Sequence, residues 1–197
     1  MSGYAWRHDP RHVLFTLARY KFVAKMLAGK GPTLEIGCAD GFGTRLVAQE
    51  TASVLGIDVD AAMIASAHLS NDAGRIGFLH YDLLEAPLLL HFASAYAIDV
   101  LEHIPPSLED RFMRHAALSL GRPGTLLLGT PSLESQAYAS APSREGHVNC
   151  QTQSALRALC ERYFETVFLL GMNDEVVHTG FGPMCHYLWA LCVGVRS

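Results

Sequence analysis

The sequence predicts an α/β protein with a doubly wound sheet of seven strands, mainly parallel and closed by a final antiparallel strand. Three observations lead there. Short apolar runs alternate with helical stretches, which calls for right-handed crossovers and parallel pairing. The first run, Thr33-Leu34-Glu35-Ile36, breaks into the glycine-rich turn Gly37-Cys38-Ala39-Asp40-Gly41-Phe42-Gly43. A second run, Ser53 to Ile57, then ends in a carboxylate, Asp58.

The elements follow in order. Asp9 before Pro10 reads as a helix cap with proline in the first turn. Leu14, Leu17, Ala18, Lys21, Phe22, Lys25 and Met26 give the amphipathic pattern of that helix, which ends near Gly29. Thr44 to Glu50 is a helix with Leu46 and Val47 facing in, and Ala61 to Leu69 follows the second strand as another. Strands three and four are Ile76 to His80 and Ala93 to Ile98. Pro105 and Pro106 break the chain before a helix from Ser107 to Leu120, with Leu108, Phe112 and Leu118 inward. Gly121 to Gly124 reads as a turn and Thr125 to Leu128 as a fully buried strand. Ser132 to Cys150 is a long polar stretch without periodicity, the kind of segment that in compact domains carries function. Thr152 caps a helix reaching Tyr163, and Glu165 to Leu170 and Cys185 to Val193 form the antiparallel pair, joined by Gly171 to Met184.

Composition narrows the function. The 197 residues suit a single domain, 50% of them apolar and 17% charged, enough for a full core. A net charge of −4 without a Lys/Arg cluster argues against a large nucleic-acid footprint, leaving only a short RNA end. No apolar run of about 18 residues appears and no signal-peptide pattern opens the chain, so no membrane partner and a cytoplasmic setting are expected. Five cysteines (Cys38, Cys150, Cys160, Cys185, Cys192), without a C-x-x-C pair, read as reduced, mostly buried thiols.

The glycine turn and Asp58 carry the chemistry. In doubly wound sheets a glycine turn beneath one strand end and an acid at the next hold an adenosine-containing cofactor, the acid gripping the ribose hydroxyls. A dinucleotide fingerprint starting at Gly37 would need glycine at positions 39 and 42, where the chain has Ala39 and Phe42. Glu35, two residues before Gly37, repels phosphate but suits a cationic or amino group. NAD is therefore the lesser reading. The run resembles motif I of class I S-adenosylmethionine (SAM) methyltransferases, a hydrophobic strand followed by [DE]-x-G-x-G-x-G, with Ala39 in place of the middle glycine.

That resemblance covers residues 33 to 170 and implies a Rossmann-like fold, SAM as cofactor, and a cofactor site made of Glu35, Gly37, Cys38, Ala39, Gly41, Asp58, Val59, Met63, Asp82, Leu83, Asp99 and Tyr20. In it Asp58 binds the ribose, Asp82 lies near the adenine amino group, and Val59, Met63 and Leu83 sandwich the ring. Cys38 is there because the turn needs small residues, not as a nucleophile. Residues 1–30 form an N-terminal lid helix, in which Arg19 or Tyr20 touches the methionine carboxylate, and residues 31–197 the SAM-binding domain.

Acceptor chemistry points to Asp99-x-x-Glu102-His103, two carboxylates and an imidazole within one helical turn, with His147 further on. The arrangement is similar to the E-x-x-E-H…H set of small-RNA 2′-O-methyltransferases, and its first part to ubiquinone-biosynthesis O-methyltransferases. Two readings stay open. Asp99, Glu102, His103 and His147 hold Mg²⁺, Mn²⁺ or Zn²⁺ as a Lewis acid, or the histidines act as a metal-free base with Glu102 shaping the pocket. The expected reaction is O-methylation of a small-molecule or glycosidic acceptor. Its alternatives are 2′-O-methylation of an RNA terminus and a non-catalytic SAM-binding partner protein. The chain's compactness leaves the acceptor pocket to the loops or to a second subunit of a homodimer.

Overall fold

A computed structural model describes residues 6–70 and 74–196, which fall into two compact units, Met1–Asp82 and Leu83–Ser197. The first five residues of the expected lid segment lie outside the described residues.

In the first unit, helix α1 (Pro10–Met26) starts where the sequence placed it, the Asp9 side chain accepting from the His12 backbone N–H at 3.1 Å. Its buried face is Val13, Tyr20, Val23 and Ala24, continued by Leu27, whereas Leu14 and Met26 are exposed. Apolar residues flank both sides of the helix, and the side that turns in is the one carrying Tyr20. Strands β1 (Pro32–Ile36), β2 (Ser53–Asp58) and β3 (Ile76–His80) pair in parallel in the order β3-β2-β1, with Ile36 opposite Ile57. Helices α2 (Thr44–Ala48) and α3 (Ala61–Ser70) make the crossovers, and Leu34, Val47 and Ala67 are wholly buried between the layers.

The second unit orders its strands β4-β5-β8-β6-β7. Strand β4 (Phe92–Ile98) is parallel to β5 (Leu120–Pro131), while β8 (Tyr187–Val195) runs antiparallel to β5 and to β6 (Phe164–Asn173). Leu126, Leu127 and Leu128 are buried throughout, as expected of a strand covered on both faces. The short strand β7 (Val176–His178) pairs with the end of β6, so the described residues hold eight strands rather than seven. It arises because the connection between the last two strands folds back as a hairpin around Asp174, whose φ is 51°.

Three further expectations are corrected here. Helix α4 (Glu109–Leu118) starts after a separate 3₁₀ turn, Pro106–Leu108, and buries Phe112, Met113, Ala116 and Ala117 while Leu118 is exposed. The predicted turn Gly121 to Gly124 lies within β5, where the pairing with β4 shifts register between Phe92 and Ser94. The polar stretch after Ser132 is ordered as a 3₁₀ turn, Glu134–Tyr138, and helix α5 (Ala141–Gly146), capped by Ser140. Helix α6 (Gln153–Glu161) follows its Thr152 cap as expected. No helix among the described residues is long and apolar enough to cross a membrane.

Candidate functional site

The first unit assembles the turn and its acids from strand ends. Pairing of β1 with β2 continues past the strands: the Gly37 and Cys38 N–H groups donate to the Ile57 carbonyl at 2.8 and 3.0 Å. Alternate residues of the turn then take left-handed backbone, with φ of 77° at Gly37, 47° at Ala39 and 71° at Gly41. That conformation is easy for glycine and costly for alanine. Gly41 has a second constraint, since a Cβ there would lie 2.3 Å from the Phe78 ring. Asp58 locks the turn: one carboxylate oxygen accepts from the Ala39 N–H at 2.8 Å, the other from the Asp60 N–H at 2.9 Å. Each oxygen has two acceptor positions, so the same carboxylate can also receive two vicinal hydroxyls.

Glu35 is 1% exposed, and its two carboxylate oxygens accept from the Tyr20 hydroxyl at 2.8 Å and the Thr44 hydroxyl at 2.5 Å. Tyr20 therefore reaches the turn region through Glu35, and its ring fills the space a side chain at Gly43 would need. Cys38 is buried, packs under Gly56, and has its thiol pushed far up by burial and by the charges of Glu35 and Asp58, so it stays protonated. Met63 and Asp82 are half-buried and Val59 is exposed. In the second unit Leu83 is buried, its carbonyl accepting from His115 Nδ1 at 2.6 Å.

A second constellation forms within the second unit. After β4, Asp99 takes left-handed backbone (φ 56°), and the chain enters a single 3₁₀ turn, Leu101–His103. Glu102 is 1% exposed, and its Oε2 accepts from the Thr130 hydroxyl at 3.1 Å. Its backbone carbonyl accepts from the Val148 and Asn149 N–H groups at 2.8 and 3.0 Å, which pins the loop after α5 and sets His147 beside His103. The two rings meet edge to face at 5.2 Å, and ligand atoms of Glu102, His103 and His147 lie within 4.8 Å of one another. Asp99 is not in this group. The expectation put it on one helical turn with Glu102 and His103, but the turn begins only at Leu101, and Asp99 acts on His147 by its charge.

Both imidazoles have one nitrogen engaged: His103 Nδ1 is 2.9 Å from the Gly146 carbonyl, and His147 Nδ1 is 3.0 Å from Gln136 Oε1. The Gly146 carbonyl can only accept, so His103 Nδ1 carries the proton and its Nε2 is the basic atom, while the Gln136 amide oxygen faces His147 Nδ1. Burial, then the neighbouring His103, lower the His147 pKa below 6.5, against an opposing pull from Asp99, so His147 is neutral at pH 7. Cys150, near Glu102, has its thiol pushed up to about 11, chiefly by burial, and is inert by the same reasoning. Two imidazoles beside a buried carboxylate can accept a proton or hold a divalent cation.

Thr44, Thr130, Gln136 and the Gly146 carbonyl were not legible as site residues. Thr44 and Thr130 carry one weak signal, a hydroxyl just after a glycine, at a helix start and near a strand end. Gln136 carries none. Of the polar residues in the last connection, Asn173 serves structure, its Oδ1 accepting from the His186 N–H at 2.9 Å.

Comparison with known proteins gives the family. The chain is 29% identical over 119 residues to a probable S-adenosylmethionine-dependent methyltransferase of Mycobacterium tuberculosis, covering 59% of this chain and 40% of that protein. It is 31% identical over 116 residues to a Mycolicibacterium smegmatis counterpart of the same description, covering 57% and 42%. The chain thus spans about two-fifths of the length of these relatives. Among solved structures, the N-methyltransferase NodS from Bradyrhizobium japonicum WM9 with S-adenosyl-L-homocysteine aligns at TM-score 0.70 and 18% identity, over 96% of this chain and 91% of that one. The methyltransferase domain of a bacterial Hen1, CtHen1-C, aligns at TM-score 0.72 and 17% identity, over 93% and 100%. At these identities the structures share the fold. A family profile described as a methyltransferase domain matches residues 6–163, and the chain belongs to that family.

Proposed function

We propose that this chain is a SAM-dependent methyltransferase acting on a hydroxyl of a small-molecule or glycosidic acceptor in the cytoplasm, where thiols stay reduced. Asp58 carries the cofactor assignment: its carboxylate closes the left-handed turn and keeps an acceptor position on each oxygen for ribose hydroxyls. Gly37, Ala39 and Gly41 hold the methionine side of the cofactor, braced from beneath by the buried Glu35 through Tyr20 and Thr44, and Val59, Met63 and Asp82 hold the adenine. The helix Pro10–Met26 covers it, a role supported by the Tyr20–Glu35 bond. Bound SAM supplies a methyl group on a sulfonium leaving group.

What remains for the chain is the acceptor's proton. His147, neutral at pH 7 and with Nε2 basic, takes it, and His103 presents the same atom alongside. Glu102, buried beside them, stabilises the imidazolium that forms.

A second reading is favoured by the clustering of ligand atoms. Two imidazole nitrogens and one carboxylate suit Zn²⁺ or Mn²⁺ better than Mg²⁺, which prefers oxygen donors. A cation held by Glu102, His103 and His147 would lower the pKa of a bound hydroxyl, and vicinal hydroxyls such as those of an RNA 3′ end would then become candidate acceptors.

Calorimetric titration with SAM, S-adenosylhomocysteine and NAD, with and without EDTA, tests both readings. Micromolar binding of the SAM pair alone upholds the first, and metal in the untreated protein brings in the second. Binding of NAD instead would sink the cofactor assignment.

A further inference from the structure

Ser132 is wholly buried and held on three sides. Its hydroxyl donates to the Cys185 carbonyl at 2.6 Å, its N–H donates to the His186 carbonyl at 3.0 Å, and the next N–H, of Leu133, donates to the Gln151 carbonyl at 2.9 Å. The Ser132 carbonyl is therefore a fixed acceptor at the start of the 3₁₀ turn Glu134–Tyr138. It receives the Ser135 hydroxyl at 2.8 Å and the Gln136 side-chain amide nitrogen at 3.3 Å. The same nitrogen lies 3.3 Å from the Ser135 oxygen, whose proton is already committed to Ser132. Turning the Gln136 amide over would set its oxygen against two acceptors. The amide thus has one workable orientation, with Oε1 directed at His147 Nδ1.

We propose that Gln136 is a positioning residue that selects the tautomer of His147, so that Nδ1 carries the proton and Nε2 is the basic atom. His103 has the same tautomer from a different source, the Gly146 carbonyl. One ring of the pair is set by a side chain that substitution can remove, the other by backbone that it cannot. The value of the device to catalysis rests on the proposed role of His147 as proton acceptor; the tautomer itself does not.

The test is a long-range ¹H–¹⁵N correlation spectrum of the labelled full chain without cofactor, at about pH 8, where imidazoles are neutral. The ten histidines are resolved by recording His103→Ala and His147→Ala alongside. Both rings should show a protonated Nδ1 and a bare Nε2. Gln136→Leu should cost His147 this pattern and leave His103 unchanged. A protonated Nε2 on His147 in the natural chain, or an unaltered His147 in Gln136→Leu, overturns the proposal. Should Gln136→Leu lose the His103 pattern along with its fold, Gln136→Met, closer in shape to glutamine and equally without the amide oxygen, takes its place: loss of Nδ1–H on His147 upholds the proposal and its retention overturns it. Because no cofactor is present, a failure here is distinct from a failure to bind SAM.

Discussion

The Gly37–Asp58 device and the Glu102–His103–His147 cluster are built by opposite means. The first joins residues 21 positions apart through backbone: two N–H groups of the turn reach Ile57, and a third reaches the Asp58 carboxylate. The second joins residues 44 positions apart, and it depends on a loop folding back onto the Glu102 carbonyl and on a side chain, Gln136, reaching a ring. A site made where neighbouring parallel strands end inherits its geometry from the sheet. One made by a returning loop must be fixed contact by contact.

The largest expected effect separates the two directly. His147→Ala or His103→Ala should lower kcat by about 10²- to 10⁴-fold, the usual range for loss of a general base. SAM affinity by calorimetry should stay within about threefold, since no residue of the turn is altered. If affinity collapsed with turnover, the two constellations would not divide the labour as proposed. Asp58→Ala should do the converse, weakening SAM binding by tenfold or more, about 1.4 kcal/mol. An unchanged dissociation constant would undo the assignment of Asp58 to the ribose.

The same contrast explains what the sequence disclosed. Strand alternation, the glycine turn and the acid at the end of β2 are local patterns, and the first unit follows them closely. Leu118 and Leu14 were misjudged because apolar residues stand on more than one side of their helices, and only packing chooses among them. Strand β7 and the turns after Ser132 have no periodicity of their own, so nothing in the chain announced them. Asp99 was grouped with Glu102 by spacing, yet the turn that carries Glu102 and His103 begins only at Leu101. Tyr20 is instructive in another way: the sequence placed it near the methionine carboxylate, while its hydroxyl meets the buried carboxylate of Glu35. Tyr20→Phe should therefore cost stability, about 1 kcal/mol in urea unfolding, by withdrawing a hydrogen bond from a buried carboxylate. No loss would mean that Glu35 is fully satisfied without it.

Acid pH should affect the loop-built cluster. The folded His147 pKa lies below its ordinary 6.5, so between the two values the unfolded chain binds more protons than the folded one. The contribution of His147 to stability is thus complete above pH 6.5 and falls as pH drops through that window. For turnover the sign is the same: kcat/KM, which reports the free enzyme, should rise with pH along a limb whose midpoint lies below 6.5, then level off near neutrality. A midpoint above 6.5 would show that another group controls the limb.

The smallest effect sharpens the backbone-built half. Ala39 holds φ at 47°, between left-handed Gly37 and Gly41, and its N–H is the one that Asp58 anchors. A left-handed alanine costs roughly 1–2 kcal/mol, whereas glycine there forfeits roughly 0.5–1 kcal/mol of chain entropy. Ala39→Gly should therefore stabilise the fold by about 0.5 kcal/mol, the difference between those two terms. SAM affinity should hold or improve, because removing a methyl group from the turn opens the backbone to the cofactor and leaves the Asp58 bond in place. Matched urea unfolding and calorimetry on the two proteins would measure both. A loss of stability would mean that the anchor at Asp58, rather than residue type, already determines the conformation at position 39. The alanine would then be tolerated for the same reason the turn is legible: its shape is imposed by the paired strands on either side.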